Sequence, residues 1–379
     1  MQNRRTILAA TAATLFAPGL LRAADPVKVG VIIPLSGGAG RQGQDVANAI
    51  QAMAALLNAD GGVLGRPIEI LVRDDESTPA VGVAKANELA SAGVAAVLEG
   101  WNSPVTLAMQ SVLARAGILD VTMISKADGI LASASNPLAI RLNSANAQDA
   151  AIIATDLGKR MKKGRIVFVT QNDAYGNGAQ QGIEAEIKKA GLAYDIAATL
   201  KFPFAQTDFR VEVTSIRDAK PDAVVAINAN EGAGLPAFIQ QYSRGSGGAP
   251  LFCSVGTVSA SVVEATGSAA NGLVSADIYF PDAEPFASNT ANKRFVAEMQ
   301  KQFKAVPEKF GALGAAALEV WANAANIAKS LDRRVVAEAI RGHSIPGTIF
   351  GTATFGANGQ MEQRYSTFTV REGKVVVEG

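Results

Sequence analysis

Residues 94–106 read VAAVLEGWNSPVT. Val94–Leu98 are small or branched and apolar, with no polar alternation, as a parallel strand buried on both faces requires. Polarity changes abruptly at Glu99, and Gly100-Trp101-Asn102-Ser103 reads as a loop. Pro104 suits the first turn of a helix, with Ser103 at the capping position before it. A strand feeding a polar loop and then a helix start puts ligand-binding groups at the carboxyl edge of a sheet. Ser103 offers a hydroxyl and a backbone N–H there, and the helix start adds partial positive charge that favours a carboxylate. An ordinary capping serine would leave the same trace.

The alternation extends on both sides of this stretch. Val27–Ile33 is an apolar strand, followed by a glycine-rich loop over Pro34–Gly43 and a helix with Val46, Ile50, Met53 and Leu57 at helical spacing. Ile68–Val72 is the next strand, ending in Arg73-Asp74-Asp75, where a solvated or capping role suits the acidic pair. Helical Pro79–Ala92 leads into the central strand, and Gly117–Thr122 follows the helix after Pro104. Such a succession builds a right-handed, doubly wound parallel sheet. The alternation restarts with Leu138–Leu142, then strands at Arg165–Thr170, Tyr194–Leu200, Ala223–Ile227 and Leu251–Ser254. Two sets without a long linker predict two similar lobes. The remainder, Leu273–Phe280, helices over Ala287–Lys304, Gly311–Leu331 and Val335–Arg341, and strand-like pieces from Thr348 on, returns to complete them.

Composition narrows the function classes. The 379 residues exceed one average domain, and the formal net charge is only +1. No basic stripe or aromatic-basic interleaving appears, so nucleic acid is not an expected partner. Residues 1–24 read as a cleaved export signal, with Arg4 and Arg5 before an apolar run too short to span a membrane. Arg4-Arg5-Thr6-Ile7-Leu8 also resembles a twin-arginine signal, and a general secretory route fits equally. Cys253 is the single cysteine and reads as a buried small residue.

Catalytic and cofactor signals are weak. Gly38–Gly43 is a literal GxGxxG between a strand and a helix. Pro34-Leu35-Ser36 nevertheless removes the tight strand-to-glycine turn, and Asp74 lies too far along for the ribose-binding acid. A loop whose glycines admit close backbone approach fits better. His343 is the only histidine, so metal clusters of His and Cys and a Ser-His-acid triad have little to build on. No cofactor, no metal and no catalysis are expected. An exported NAD(P)-dependent oxidoreductase stays open as a rival reading.

Val29–Gly43 (VGVIIPLSGGAGRQG), Asn58–Gly65 (NADGGVLG), Ile70–Asp75 (ILVRDD), Ala95–Thr106, Asn172–Gly178 (NDAYGNG) and Pro221–Val225 (PDAVV) together resemble the periplasmic leucine/isoleucine/valine-binding protein family, the solute receptors of branched-chain amino acid ABC importers. The resemblance implies the type I periplasmic binding protein fold: α/β, two Rossmann-like lobes with parallel sheets, joined by three crossovers. These fall near Asn143–Ser144, Ala276–Asp277 and Phe350–Gly351, giving lobe 1 as residues 25–143 plus 277–350 and lobe 2 as 144–276 plus 351–379. A ligand would bind between the lobes by hinge closure, and an ABC permease would be the partner of a monomer in the periplasm. A sensory binding protein on the same fold is a further reading.

Carried over position by position, the resemblance gives Ser103 the ligand's α-carboxylate and the carbonyl of Ile124 its ammonium. Lys126 stands where the family has a threonine contacting both groups, and Tyr175 matches a cleft tyrosine of the second lobe. Gln42, with Arg41, replaces an aromatic residue, and Ala229 or Asn230 replaces another. The acid that pairs the ammonium falls near Val255-Gly256, which holds no carboxylate, and the family disulfide positions are Ser77 and Asn102. Lysine has three donors and no acceptor. The expected ligand is therefore a carboxylate without an α-ammonium, held by Ser103 and Lys126, its apolar body covered by Trp101 and Tyr175.

Overall fold

The computed structural model describes residues 25–132, 136–245 and 248–378. The expected export signal lies outside the described residues. The first lobe carries β1 (Val27–Ile33), β2 (Ile68–Asp74), β3 (Ala96–Glu99), β4 (Leu119–Thr122) and β5 (Ala139–Arg141). All run parallel, in the order β2-β1-β3-β4-β5. Every residue of β3 and β4 is buried, Glu99 and Asp120 included, so neither strand shows the alternation of a half-exposed one. The order reverses between β1 and β3, so the loops after these two strands flank the crevice where ligands bind in open α/β sheets.

The second lobe carries β6 (Lys163–Gln171), β7 (Ala193–Phe202), β8 (Ala223–Ile227), β9 (Leu251–Cys253) and β10 (Val274–Asp277), again parallel. A hairpin of β11 (Ser344–Thr348) and β12 (Gly351–Thr354) comes next, then β13 (Ser366–Arg371) and β14 (Lys374–Glu378). The last two extend the second sheet antiparallel, giving β14-β13-β10-β9-β8-β6-β7. Two short edge strands joined by a tight turn need no crossover helix, so they can reverse direction where the parallel strands cannot.

The chain passes between lobes three times. After β5, the helix Asn146–Arg160 packs Ala150 and Ile153 into the second lobe's core. After β10, Ile278 and Tyr279 return to the first lobe's core. The third passage differs from the expected Phe350–Gly351. Gly351 sits at the hairpin turn with φ of +79°, and Ala353, Phe355 and Met361 are still buried with the first lobe. The backbone amides of Arg141 and Met361 bond the carbonyls of Gly359 and Arg141, both at 2.9 Å, which fastens this segment to β5. The passage therefore lies after Met361, where Tyr365 packs against both cores.

The helix Lys309–Ala328 is buried on nearly all sides and runs through the first lobe's core against the helix Gly40–Ala59. Gly314 allows the close approach, because a Cβ there would fall 2.7 Å from a Val46 methyl. Trp321 is fully buried, and truncating such a side chain to alanine costs about 3–5 kcal/mol. No described helix is long and apolar enough to cross a membrane.

Candidate functional site

The candidate site is built from strand ends. β3 ends in Glu99, which remains inside the sheet and is fully buried. Its carboxyl oxygens accept hydrogen bonds from Thr122 Oγ1 at 2.7 Å and Thr106 Oγ1 at 2.8 Å. Burial pushes Glu99 up to about 7 and its neighbour Asp120 well above the usual carboxylate range. Gly100 then turns the chain at φ of +100°, with a Cβ excluded by Thr106, Thr122 and Ser125 all within 3.2 Å. Asp75 is buried too, not solvated: Oδ1 accepts from the Ser77 amide at 2.8 Å, and desolvation raises its pKa to about 6.

The loop so fixed delivers Trp101, Asn102 and Ser103 to a cavity between the lobes. The helix runs Ser103–Arg115 with Asn102 at the cap position, so Ser103 is its first residue. The Ser103 hydroxyl accepts from the amides of Lys126 at 3.2 Å and Ala127 at 3.1 Å, bracing the loop after β4. Its own proton remains free to be donated. That neighbouring loop brings Ile124 and Lys126 to the same cavity.

The second lobe supplies the facing wall. Asp173 caps the helix Ala174–Lys189 by accepting from the Gly176 amide at 2.9 Å, which sets Tyr175 against the cavity. Gln171 donates to Asp173 and accepts from the Ala229 amide at 3.0 Å, which ties the two second-lobe loops together. Tyr175 is buried in the second lobe's core, and burial pushes its phenol upward. The lining, with Thr257, Lys309 and Phe310, encloses about 420 Å³ of unfilled space, part of it open to solvent.

Five of the residues singled out in the sequence thus converge: Trp101, Ser103, Ile124, Lys126 and Tyr175. Two do not line this cavity. Gln42 lies behind Phe310 in a neighbouring chamber, because the turn Gly37–Ala39 carries the start of its helix away from the β3 edge. Asn230 spends its side chain on two second-lobe loops, donating to the Phe204 carbonyl after β7 at 2.9 Å and accepting from the Ala233 amide of its own loop at 3.1 Å. Lys126 is not a free carboxylate partner either. Its ammonium is ion-paired with Asp149 and donates to the Val255 carbonyl at 2.9 Å. The Ile124 carbonyl is likewise engaged, by Asn143 Nδ2 at 2.7 Å.

Sequence reasoning missed Asp149, Lys309 and Phe310. Lys309 stands in the first turn of its helix, donates to the Gly256 carbonyl at 2.6 Å and lies 4.0 Å from the centre of the Phe310 ring. Phe310 meets Trp101 edge-on at 4.7 Å. No carboxylate lies within ion-pair distance of Lys309 among the described residues. Burial lowers its pKa to about 8, opposed by Asp277 nearby. Glu231 is pushed well above its usual range by the same burial. A cation in the first turn of a helix opposes the helix dipole, and that mismatch was the legible signal.

The glycines of the GxGxxG loop serve packing. A Cβ on Gly43 would fall 1.6 Å from the Pro34 carbonyl oxygen, and one on Gly38 would fall 2.8 Å from the Phe204 ring. Asp74 is occupied by the Leu35 amide at 2.8 Å and the Ser36 hydroxyl at 2.6 Å. His343 is exposed and Cys253 buried, and neither reaches the cavity.

A family model described as periplasmic binding protein matches residues 26–374. The Leu/Ile/Val-binding protein BraC3 of Rhizobium johnstonii is 28% identical over 376 residues, 98% of each chain. Among solved structures, a solute-binding protein of R. palustris in complex with benzoate superposes with a TM-score of 0.83 at 24% identity, over 93% of this chain and 96% of that one. The substrate-binding protein LivJ of Streptococcus pneumoniae in complex with isoleucine gives 0.82 at 20% identity, over 93% and 99%.

Proposed function

Because the chain belongs to the periplasmic binding protein family, we propose that it is an exported solute receptor that takes a small carboxylate without an α-ammonium and passes it to an ABC permease. The ligand sits between the lobes and closes them about the hinge. Ser103 donates its hydroxyl proton to the carboxylate, the start of the helix Ser103–Arg115 adds favourable potential, and Lys309 supplies the compensating charge. Trp101, Phe310 and Tyr175 cover the apolar body.

One observation carries the choice of ligand class. The acceptors an α-ammonium would need are already engaged by the protein's own donors. Asp149 and the Val255 carbonyl hold Lys126, the Gly256 carbonyl holds Lys309, and the Ile124 carbonyl holds Asn143. The one carboxylate lining the cavity among the described residues, Asp173, already accepts from the Gly176 amide and from Gln171. A third ammonium would therefore be desolvated beside two others with no unengaged anion to meet it, at a cost of several kcal/mol. The relatives with isoleucine and with benzoate show that this fold accommodates both kinds of ligand.

Thermal shift and calorimetry with leucine, its keto acid and benzoate test the reading. A carboxylate at about 100 times its dissociation constant adds roughly 2.7 kcal/mol of stability, and leucine does not. Tight leucine binding would overturn the ligand class. Failure of every small polar solute to move the melting temperature would remove the receptor itself.

A further inference from the structure

A groove with about 1120 Å³ of space, partly open to solvent, lies at the amino ends of β1 and β3. The ligand cleft lies at the carboxyl ends of the same strands, so the groove faces away from it. Lys28, Arg66, Arg333 and Arg334 line it, and none of them forms an ion pair among the described residues. Backbone carbonyls hold two of these side chains instead. Arg66 donates to those of Asp25 at 2.8 Å and Pro26 at 3.4 Å, and Arg333 to those of Gly117 at 3.2 Å and Val94 at 2.7 Å. A carbonyl oxygen fixes a guanidinium without cancelling its charge. The one acid of the lining, Asp332, caps the helix Arg333–Ile340 by accepting from the Arg334 and Val335 amides, both at 3.0 Å. Positive charge is thus concentrated here on a chain whose formal net charge is only +1.

Apolar side chains flank the charge. Leu64, Ile327 and Val335 are 39%, 57% and 41% exposed, three of the eight large apolar side chains left open to solvent among the described residues. Leu64 lies two residues from Arg66, and its amide donates to Asn326 Oδ1 at 2.8 Å, beside Ile327. Val335 follows Arg334. Cations alone would suit any anion. Cations set among side chains that gain from leaving water select an amphiphile, whose anionic head meets the groove and whose hydrocarbon receives the apolar flank.

We propose that this end of the first lobe is a membrane-docking surface, which rests on a bilayer containing anionic phospholipid and leaves the ligand cleft free. A protein so held searches for a membrane-embedded partner in two dimensions instead of three. The proposal is independent of the ligand class, because none of these side chains lines the cleft.

Vesicle flotation tests this with the protein from Asp25 onward, so that the expected export signal contributes nothing. Vesicles of equal parts phosphatidylglycerol and phosphatidylcholine carry at least tenfold more protein than vesicles of phosphatidylcholine alone, and about 0.5 M sodium chloride abolishes the excess. Lys28→Glu with Arg334→Glu removes the binding, and Ile327→Gln with Val335→Gln reduces it at least fivefold, each variant checked for its fold by its melting temperature. Equal binding to the two kinds of vesicle, binding to neither, or binding that survives the charge reversals would overturn the proposal. Release of the protein by inorganic phosphate at constant ionic strength, or indifference to the apolar substitutions, would overturn it too and make the groove a site for a soluble anion.

Discussion

The ammonium of Lys309 in the first lobe donates to the carbonyl of Gly256 in the second, 2.6 Å away. Lys126 makes the equivalent contact with the adjacent carbonyl of Val255. Two lysines thus hold one loop of the opposite lobe at consecutive residues. Gly256 sits at φ of +72°, and a Cβ there would fall 1.9 Å from the Lys309 nitrogen. Lys309→Met and Gly256→Ala therefore both loosen the closed form. Small-angle scattering of the ligand-free variants is expected to give a larger radius of gyration than wild type. Affinity for the carboxylate proposed above is expected to fall about tenfold in Lys309→Met, the effect of losing one charge-assisted hydrogen bond. An unchanged scattering profile in both variants would show that these contacts do not govern closure.

The Lys126–Asp149 pair is buried on both sides, and Asp149 also accepts from Tyr365 Oη at 3.2 Å. Removing one partner strands the other charge away from water. Lys126→Met or Asp149→Asn alone is expected to destabilise by about 3–5 kcal/mol. The double variant recovers much of that loss, because no uncompensated charge remains. Chemical denaturation of the four proteins gives the coupling, and strict additivity would contradict it.

Glu99 titrates at about 7 in the fold, against an ordinary value of 4.5, chiefly through burial. Between those values the folded protein binds a proton that the unfolded chain does not. Stability is therefore greatest below pH 4.5 on this account and falls as pH rises towards 7. Asp75, raised to about 6, adds to the same slope. Glu99→Gln keeps the shape and removes the charge. Its melting temperature is expected to exceed wild type by a few degrees at pH 8 and to match it near pH 4.5. A constant difference across that range would exclude the mechanism.

Gly43→Ala places a methyl carbon 1.6 Å from the Pro34 carbonyl oxygen, and backbone cannot yield as a side chain does. Severe destabilisation is expected, readable as loss of soluble protein or a melting temperature lowered by ten degrees or more. Adding NAD does not rescue it. Rescue by NAD would revive the dinucleotide reading of this loop.

The stretch 94–106 could be read for both strand and helix because each feature was local: apolar run, glycine turn, proline in the first helical turn. Five cavity residues followed, since loops after β3, β4 and β6 must reach the same edge of their sheets. The burial of Glu99 was not legible because its partners, Thr106 and Thr122, lie on other elements, and only they make a buried acid tolerable. Lys309 and Phe310 follow no strand. The second passage between lobes carries them back to the cleft, a placement set by tertiary packing. The hairpin after Ser344 was divided at Gly351 because a positive-φ turn and a domain boundary share one signature in sequence.

The threefold passage of the chain has a bearing on the order in which the protein can be made. The first core needs Phe295, Leu313 and Trp321, and the second needs Phe368 and Val370. A nascent chain that has emerged as far as β10 owns the whole first sheet, the second without β13 and β14, and neither core in full. Neither lobe can therefore complete its core until the chain has crossed back: the first waits for the segment up to Met361 and the second for β13. The two cores thus close one after the other near the C-terminal end of the chain, so most of the polypeptide is made before either lobe is whole.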